Sequence, residues 1–197
     1  MSKLLLYCTK TKPYLVKRNI FAGVEPSYFT LKENVEDRLN GKIIAECDFE
    51  VEQITPFFHW CGELENKTCL SREAVLDYLD SKDKSVGNPK RQESVNLIYI
   101  KNLHIFDKPR ELSEYHNNNS SPIEKAPQNM MYAKQTVPFK KEFLVKGILQ
   151  EVRGYKVNEY IIISIQPQWL CKILNGEKII EVRKKVLKHM LRDENNI

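Results

Sequence analysis

Lys178, Glu181 and Arg183 place an amine, a carboxylate and a guanidinium within one short stretch of chain. Such a set suits a polar, planar or phosphorylated ligand: the cations donate, the carboxylate accepts, and a guanidinium matches the plane of a base or the fork of a phosphate. The surrounding residues 164–185, SIQPQWLCKILNGEKIIEVRKK, set out how the three are positioned. Pro167 fits the first position of a helix, where its fixed φ helps and its missing N–H is not required. Trp169, Leu170, Ile173 and Leu174 then recur three and four apart as an apolar stripe. Asn175 and Gly176 end that helix, with the glycine as a left-handed cap. In the strand that follows, Ile180 and Val182 point to a core. Glu181 and Arg183 therefore share the opposite face, about 7 Å apart along the strand. Lys178 falls in the turn, where its amine can be aimed over the same surface. The same residues also fit an ordinary surface ion pair of Glu181 with Arg183, with Lys178 in solvent.

Other reactive groups are less organised. Cys171 and His189 are a nominal nucleophile and base, but Cys171 falls beside the apolar helix stripe. His59, Cys61 and Cys69 approach a metal-ligand cluster without a C-x2-C or H-x3-H pair and without an evident fourth ligand, so no metal and no cofactor is expected. The five cysteines are scattered through apolar patterns and imply no disulfide framework.

The 197 residues allow one domain with a real core, 42% hydrophobic and 29% charged. The longest apolar runs, at 4–6 and 161–163, are too short to cross a bilayer or form a signal core, so a cytoplasmic protein is expected; a monomer is expected as well. The net charge of +5 mildly favours polyanionic partners. It gathers at Lys82, Lys84, Lys90 and Arg91, at Lys140, Lys141 and Lys146, and at Lys184, Lys185, Lys188 and Arg192. Each cluster is also readable as a solvated face.

Along the chain, residues 4–9 predict an opening strand. Thr30 with Glu33 forms a capping box for a helix bearing Leu31, Val35 and Leu39. Residues 42–54 alternate cleanly: Ile43, Ala45, Cys47, Phe49 and Val51 on one face, Glu46, Asp48, Glu50 and Glu52 on the other. The acidic row is read as solvated, since carboxylates in a line do not converge on an ion. Ser71 caps a helix with Ala74, Val75, Tyr78 and Leu79 on its packing side. Residues 95–106 predict a strand pair or one kinked strand, 115–125 a flexible loop, 125–133 and 139–157 further strand-like runs, and 160–165 a buried strand. Many short strands with about three short helices predict an α+β fold on a small curved or closed sheet.

Gly176-Glu177-Lys178-Ile179-Ile180-Glu181-Val182-Arg183, read as G-x-K-x-x-E-x-R after an S-I-x-P strand and a short helix, resembles the signature of the ASCH domain. LYCTK followed by NGKIIAECDFE resembles the strands that come after the signature in that family, and LHIFDKPRELSEY with KAPQNMMYA resembles its closing strands. The resemblance implies a PUA-like β-barrel over residues 1–197 with flanking short helices, similar in texture to phage members. The order differs: here LYCTK comes first and the signature late. A circular permutation accounts for this, with residues 134–159 joining the family's usual last strand to its usual first. A truncated second copy is the alternative.

The resemblance implies RNA or nucleotide binding in a cleft between barrel and helix, where Ser164, Gly176, Lys178, Glu181 and Arg183 are ligand-binding candidates. Thr9 and Lys10, at the end of the first strand, are placed to line the cleft mouth, and Gln128 in the PQN turn is a candidate amide reader that turn chemistry alone also explains. Tyr14 is a candidate stacking platform, whereas Tyr7 and Trp169 read as core. A hydrolase acting on a modified nucleoside or RNA is the rival, with Lys178 and Glu181 as catalytic candidates. In related amidohydrolases the signature lysine activates a hydroxyl three residues on; here that position is Glu181, so that nucleophile is missing. A third class is a phage protein-interaction module, with a protein partner on the acidic strand face or the KKVLKHMLR tail.

Overall fold

Two apolar runs, Leu4 to Leu6 and Ile161 to Ile163, lack the alternation of a half-exposed strand, and the structure shows why. Lys3–Cys8 forms strand β1, Ile43–Ile54 β2, Val95–Arg110 β3, Met130–Val145 β4, Ile148–Ile165 β5 and Ile180–Arg183 β6. They form one six-stranded sheet in the order β4-β5-β1-β2-β3-β6. β1 and β5, both interior strands, pair in parallel, with Leu4 opposite Ile161 and Leu6 opposite Ile163; every other pairing is antiparallel. An interior parallel pair is covered on both faces, which demands unbroken apolar sequence. The computed structural model describes residues 2–9, 41–80, 94–145 and 148–191. The expected helix at Thr30 to Leu39, Lys10, Tyr14, the basic loop 82–91, Lys146 and Arg192 lie outside the described residues.

Helices cover the sheet: α1 (Pro56–His59), α2 (Gly62–Thr68), α3 (Arg72–Asp80) and α4 (Pro167–Leu174). The stripe of α4, with Leu170, Ile173 and Leu174 buried, joins Leu4, Leu6, Ile161 and Ile163 in one core cluster. Each such side chain taken from water contributes about 2 kcal/mol. On the other face Leu5, Tyr7, Ile162 and Tyr160 pack with Tyr115 and Ile123. A third cluster sets Val75 and Leu79 of α3 and Trp60 against Val95, Leu97, Ile180 and Val182.

The expectation of a mixed α+β fold on a small sheet holds; several local readings change. Ile43 does not share a core with Ala45 and Cys47. The pairing of β2 shifts register between Ile43 and Ala45, and Ile43 turns to the face of Leu5 and Tyr7. β3 is one sixteen-residue strand with its kink at Asn102, where φ is 49°. The strand expected over 125–133 starts only at Met130, because the carbonyls of Pro127 and Asn129 are taken by the Ser164 hydroxyl and N–H. Within the loop expected over 115–125, Tyr115 and Ile123 are buried and the Asn117 side chain accepts from the N–H groups of Asn119 and Ser121. Helices α1 and α2 were not anticipated. Their signals were Pro56 at a first helical position, and Glu63 and Glu65 at one end of α2 with Lys67 at the other.

The acidic row of β2 faces outward and is answered across the sheet by Lys3 on Glu46, Lys101 on Glu50, Asn102 on Asp48 and Tyr99 on Glu52. Among the described residues no helix is long and apolar enough to cross a membrane.

Candidate functional site

The turn after α4 delivers Lys178 to the end of α2. The last carbonyls of a helix lack intrahelical donors and carry partial negative charge. Here Lys178 Nζ donates to Thr68 O at 2.7 Å, and the Ile179 N–H donates to Lys67 O at 3.0 Å. Lys178 is only 2% exposed, and its Nζ lies 5.3 Å from the centre of the Trp169 ring. Burial pulls its pKa below the usual lysine value, with Glu181 opposing that shift. The surface ion pair with Lys178 in solvent is therefore not what forms.

Glu181 and Arg183 share a face of β6 as the alternation requires, since Ile180 and Val182 are in the core. Glu181 sits between the cations: Oε1 is 2.9 Å from Arg183 Nε, an ion pair without hydrogen-bond alignment, and Oε2 is 3.5 Å from Lys178 Nζ. Arg183 Nη1 donates to Asn129 Oδ1 at 3.1 Å and Nη2 to Ser164 O at 2.6 Å. Asn129 in turn donates to Lys185 O. Side-chain hydrogen bonds thus join the β6 end of the sheet to the β4–β5 end. A buried triad of two cations and one anion leaves a net positive charge, held in one geometry by neutral acceptors.

The triad lines a cavity of about 540 Å³ together with Thr9, Gln128, Ser164, Gln166, Trp169 and Tyr78. That volume lies within the range of small-ligand sites. The Thr9 hydroxyl oxygen is buried and has no hydrogen-bond partner among the described residues. Of the residues singled out from sequence, Thr9, Gln128, Ser164, Lys178, Glu181 and Arg183 line this one cavity. Ser164 turns its hydroxyl to Pro127 O and its carbonyl to Arg183, so it braces the site. Gly176 is not among the lining residues; it is exposed at φ 74°, where it ends α4.

Trp169, read from sequence as core, is half-buried: it packs on the edge of the core and also faces the cavity. Tyr78, assigned to a packing face, is 41% exposed on the cavity side, with Lys184 Nζ 4.7 Å from its ring centre. Tyr7 is buried in the core. Asn129 had no sequence signal beyond its place in a turn. Cys171 is buried within the core, while His189 is exposed, its Nδ1 2.9 Å from the Tyr132 hydroxyl. No group of three or more His, Cys, Asp or Glu able to hold a metal ion occurs among the described residues.

The site offers fixed positive charge, one carboxylate, an unsatisfied hydroxyl, two glutamine amides and two aromatic faces. This combination can bind an anionic group and a flat polar ring together. No protein-family model, curated protein or solved structure matches the chain.

Proposed function

We propose that this protein is an RNA- or nucleotide-binding module of the ASCH, PUA-like type, and that the cavity between sheet and α4 receives one nucleotide. One observation carries the reading: Lys178, Glu181 and Arg183 converge on a cavity of about 540 Å³ that also holds Trp169 and Tyr78. The resemblance of residues 176–183 to the family signature supports it. So does the bridging of the sheet's two ends by Arg183 and Asn129, as a nearly closed barrel requires. In the permuted order, residues 134–159 supply the joining segment, which is a long hairpin.

The test is titration with nucleoside monophosphates and a short single-stranded RNA. Saturable binding is expected, weakening with salt for the RNA, and lost in the Lys178→Ala, Arg183→Ala double variant while circular dichroism still reports a folded chain. No binding by the intact protein overturns the reading.

The second reading, a small hydrolase acting on a modified nucleoside or RNA, is favoured by the lowered pKa of Lys178, since burial is a common route to a lysine base. Against it, the amine is buried and engaged with Thr68 O. Turnover of an acylated cytidine or RNA that disappears with Lys178→Ala or Glu181→Ala would establish it.

A further inference from the structure

β5 pairs with β1 only from Tyr160 to Ile165, and the last backbone bridge on the outer side of β4 joins Lys134 to His116. Beyond these points β4 and β5 pair with each other alone, from Gln135 opposite Asn158 to Val145 opposite Ile148. At about 3.3 Å per residue this ribbon is roughly 35 Å long. A two-stranded ribbon has little core of its own and is marginal in isolation.

The surface of the ribbon is biased. Its exposed charged residues among those described are Lys140, Lys141, Arg153 and Lys156 against Glu151. Glu151 pairs with Lys140 and with Arg153. Lys141 and Lys156 are exposed and have no carboxylate partner among the described residues. Cross-strand register puts both on one face, with Lys156 opposite Val137 and Lys141 opposite Val152, about 13 Å apart along the strand. Phe139 lies between them. Its ring lies across Gly154, where an added Cβ would sit 2.8 Å from Cε1. On the other face Tyr155 is 77% exposed.

We infer that this ribbon is an RNA-binding arm: Lys141 and Lys156 take phosphates, Tyr155 offers a stacking face, and the arm extends the cleft's grip along the same strand. The inference rests on the nucleotide-binding reading of the cleft and names its partner as single-stranded RNA. Tyr155 and Lys156 are neighbours on β5 that project to opposite faces, so an RNA strand held on the lysine face meets the exposed ring by crossing the ribbon's edge. Cations and an exposed aromatic ring are the chemistry of single-strand binding. Charge also argues against the rival occupant, a second copy of the ribbon, which would set these lysines against their own kind. Ser164 at the cleft and Val152 opposite Lys141 are both on β5, roughly 40 Å apart. One nucleotide cannot touch both; a single strand on the order of ten nucleotides long can.

The test compares a uridylate 4-mer with a 20-mer by fluorescence anisotropy at several salt concentrations. The variants are Lys141→Glu with Lys156→Glu, Tyr155→Ala, and Arg183→Ala in the cleft. The lysine variant is expected to lose at least tenfold in 20-mer affinity, to flatten the salt slope by about 1.4 for two phosphate contacts, and to leave 4-mer binding unchanged. Tyr155→Ala is expected to cost the 20-mer about tenfold. If 20-mer binding is unchanged in both ribbon variants while Arg183→Ala abolishes 4-mer binding, the arm is overturned and the cleft stands. If the ribbon variants weaken the 20-mer while Arg183→Ala changes nothing, the arm stands and the cleft reading falls. A ribbon variant that turns a dimer into a monomer in sedimentation without changing RNA affinity assigns the ribbon to self-association and overturns the arm.

Discussion

Arg183 donates from Nη2 to the backbone oxygen of Ser164 at 2.6 Å, tying the short β6 at one end of the sheet to β5 near the other. The same guanidinium reaches Asn129 Oδ1 through Nη1 and Glu181 Oε1 through Nε. Two hydrogen-bond acceptors on separate elements and a carboxylate beside Nε together suit a guanidinium; an ammonium keeps the charge but cannot span them. Arg183→Lys is therefore expected to lose about 2 kcal/mol of folding stability in urea denaturation and about tenfold in nucleotide affinity. A Lys variant equal to the parent in both would show that charge alone matters there.

Trp169 and Trp60 are the two tryptophans, and only Trp169 lines the cavity. Trp60 is buried among Val75, Leu79 and Val95. Nucleotide binding is therefore expected to quench the intrinsic fluorescence in the parent and in Trp60→Phe, and to leave Trp169→Phe almost silent. Trp169→Ala is expected to weaken binding by 1–3 kcal/mol, the usual worth of one stacked base. Quenching that persists in Trp169→Phe would place the ligand elsewhere.

The unbroken runs of β1 and β5 and the alternation of β2 were legible because each is a local pattern with one sheet environment behind it. The pairing of Glu181 with Arg183 was legible for the same reason: strand geometry alone sets them on one face. The burial of Lys178 was not. It depends on the carbonyl end of α2, more than a hundred residues earlier in the chain, and α2 has too few apolar residues to announce itself by periodicity. Asn129 and Tyr78 escaped likewise, since each gains its place from a partner on another element. Trp169 was read as core because its helical spacing is that of core residues, and a side chain at a cavity wall shares that spacing.

Gly176 separates the backbone requirement from ligand contact. Its φ of 74° is strained for any residue with a Cβ, yet an added Cβ would meet nothing within 4 Å. Gly176→Ala is expected to cost about 1 kcal/mol in stability through strain at the end of α4 and to leave nucleotide affinity unchanged. A tenfold loss of affinity at unchanged stability would return Gly176 to the ligand's surroundings.

Lys178 gives the protein a stability profile with a definite sign. Burial lowers its folded-state pKa from the ordinary 10.5, while in the unfolded chain it keeps that value. Between the two, the unfolded chain binds the extra proton, so this lysine's contribution to stability rises with pH across that window and levels off above 10.5. Lys178→Met fills similar space but leaves Thr68 O without its donor, and is expected to be destabilised by about 1–3 kcal/mol at neutral pH. Urea denaturation from pH 7 to pH 11 should therefore show the gap between parent and Lys178→Met widening on the alkaline side. Glu181→Gln removes the main partner that holds the lysine's proton, so in that background the rise should begin at lower pH. A gap that narrows with pH would mean that Glu181 outweighs desolvation, and that the buried amine is a firmly held cation with no tendency to act as a base.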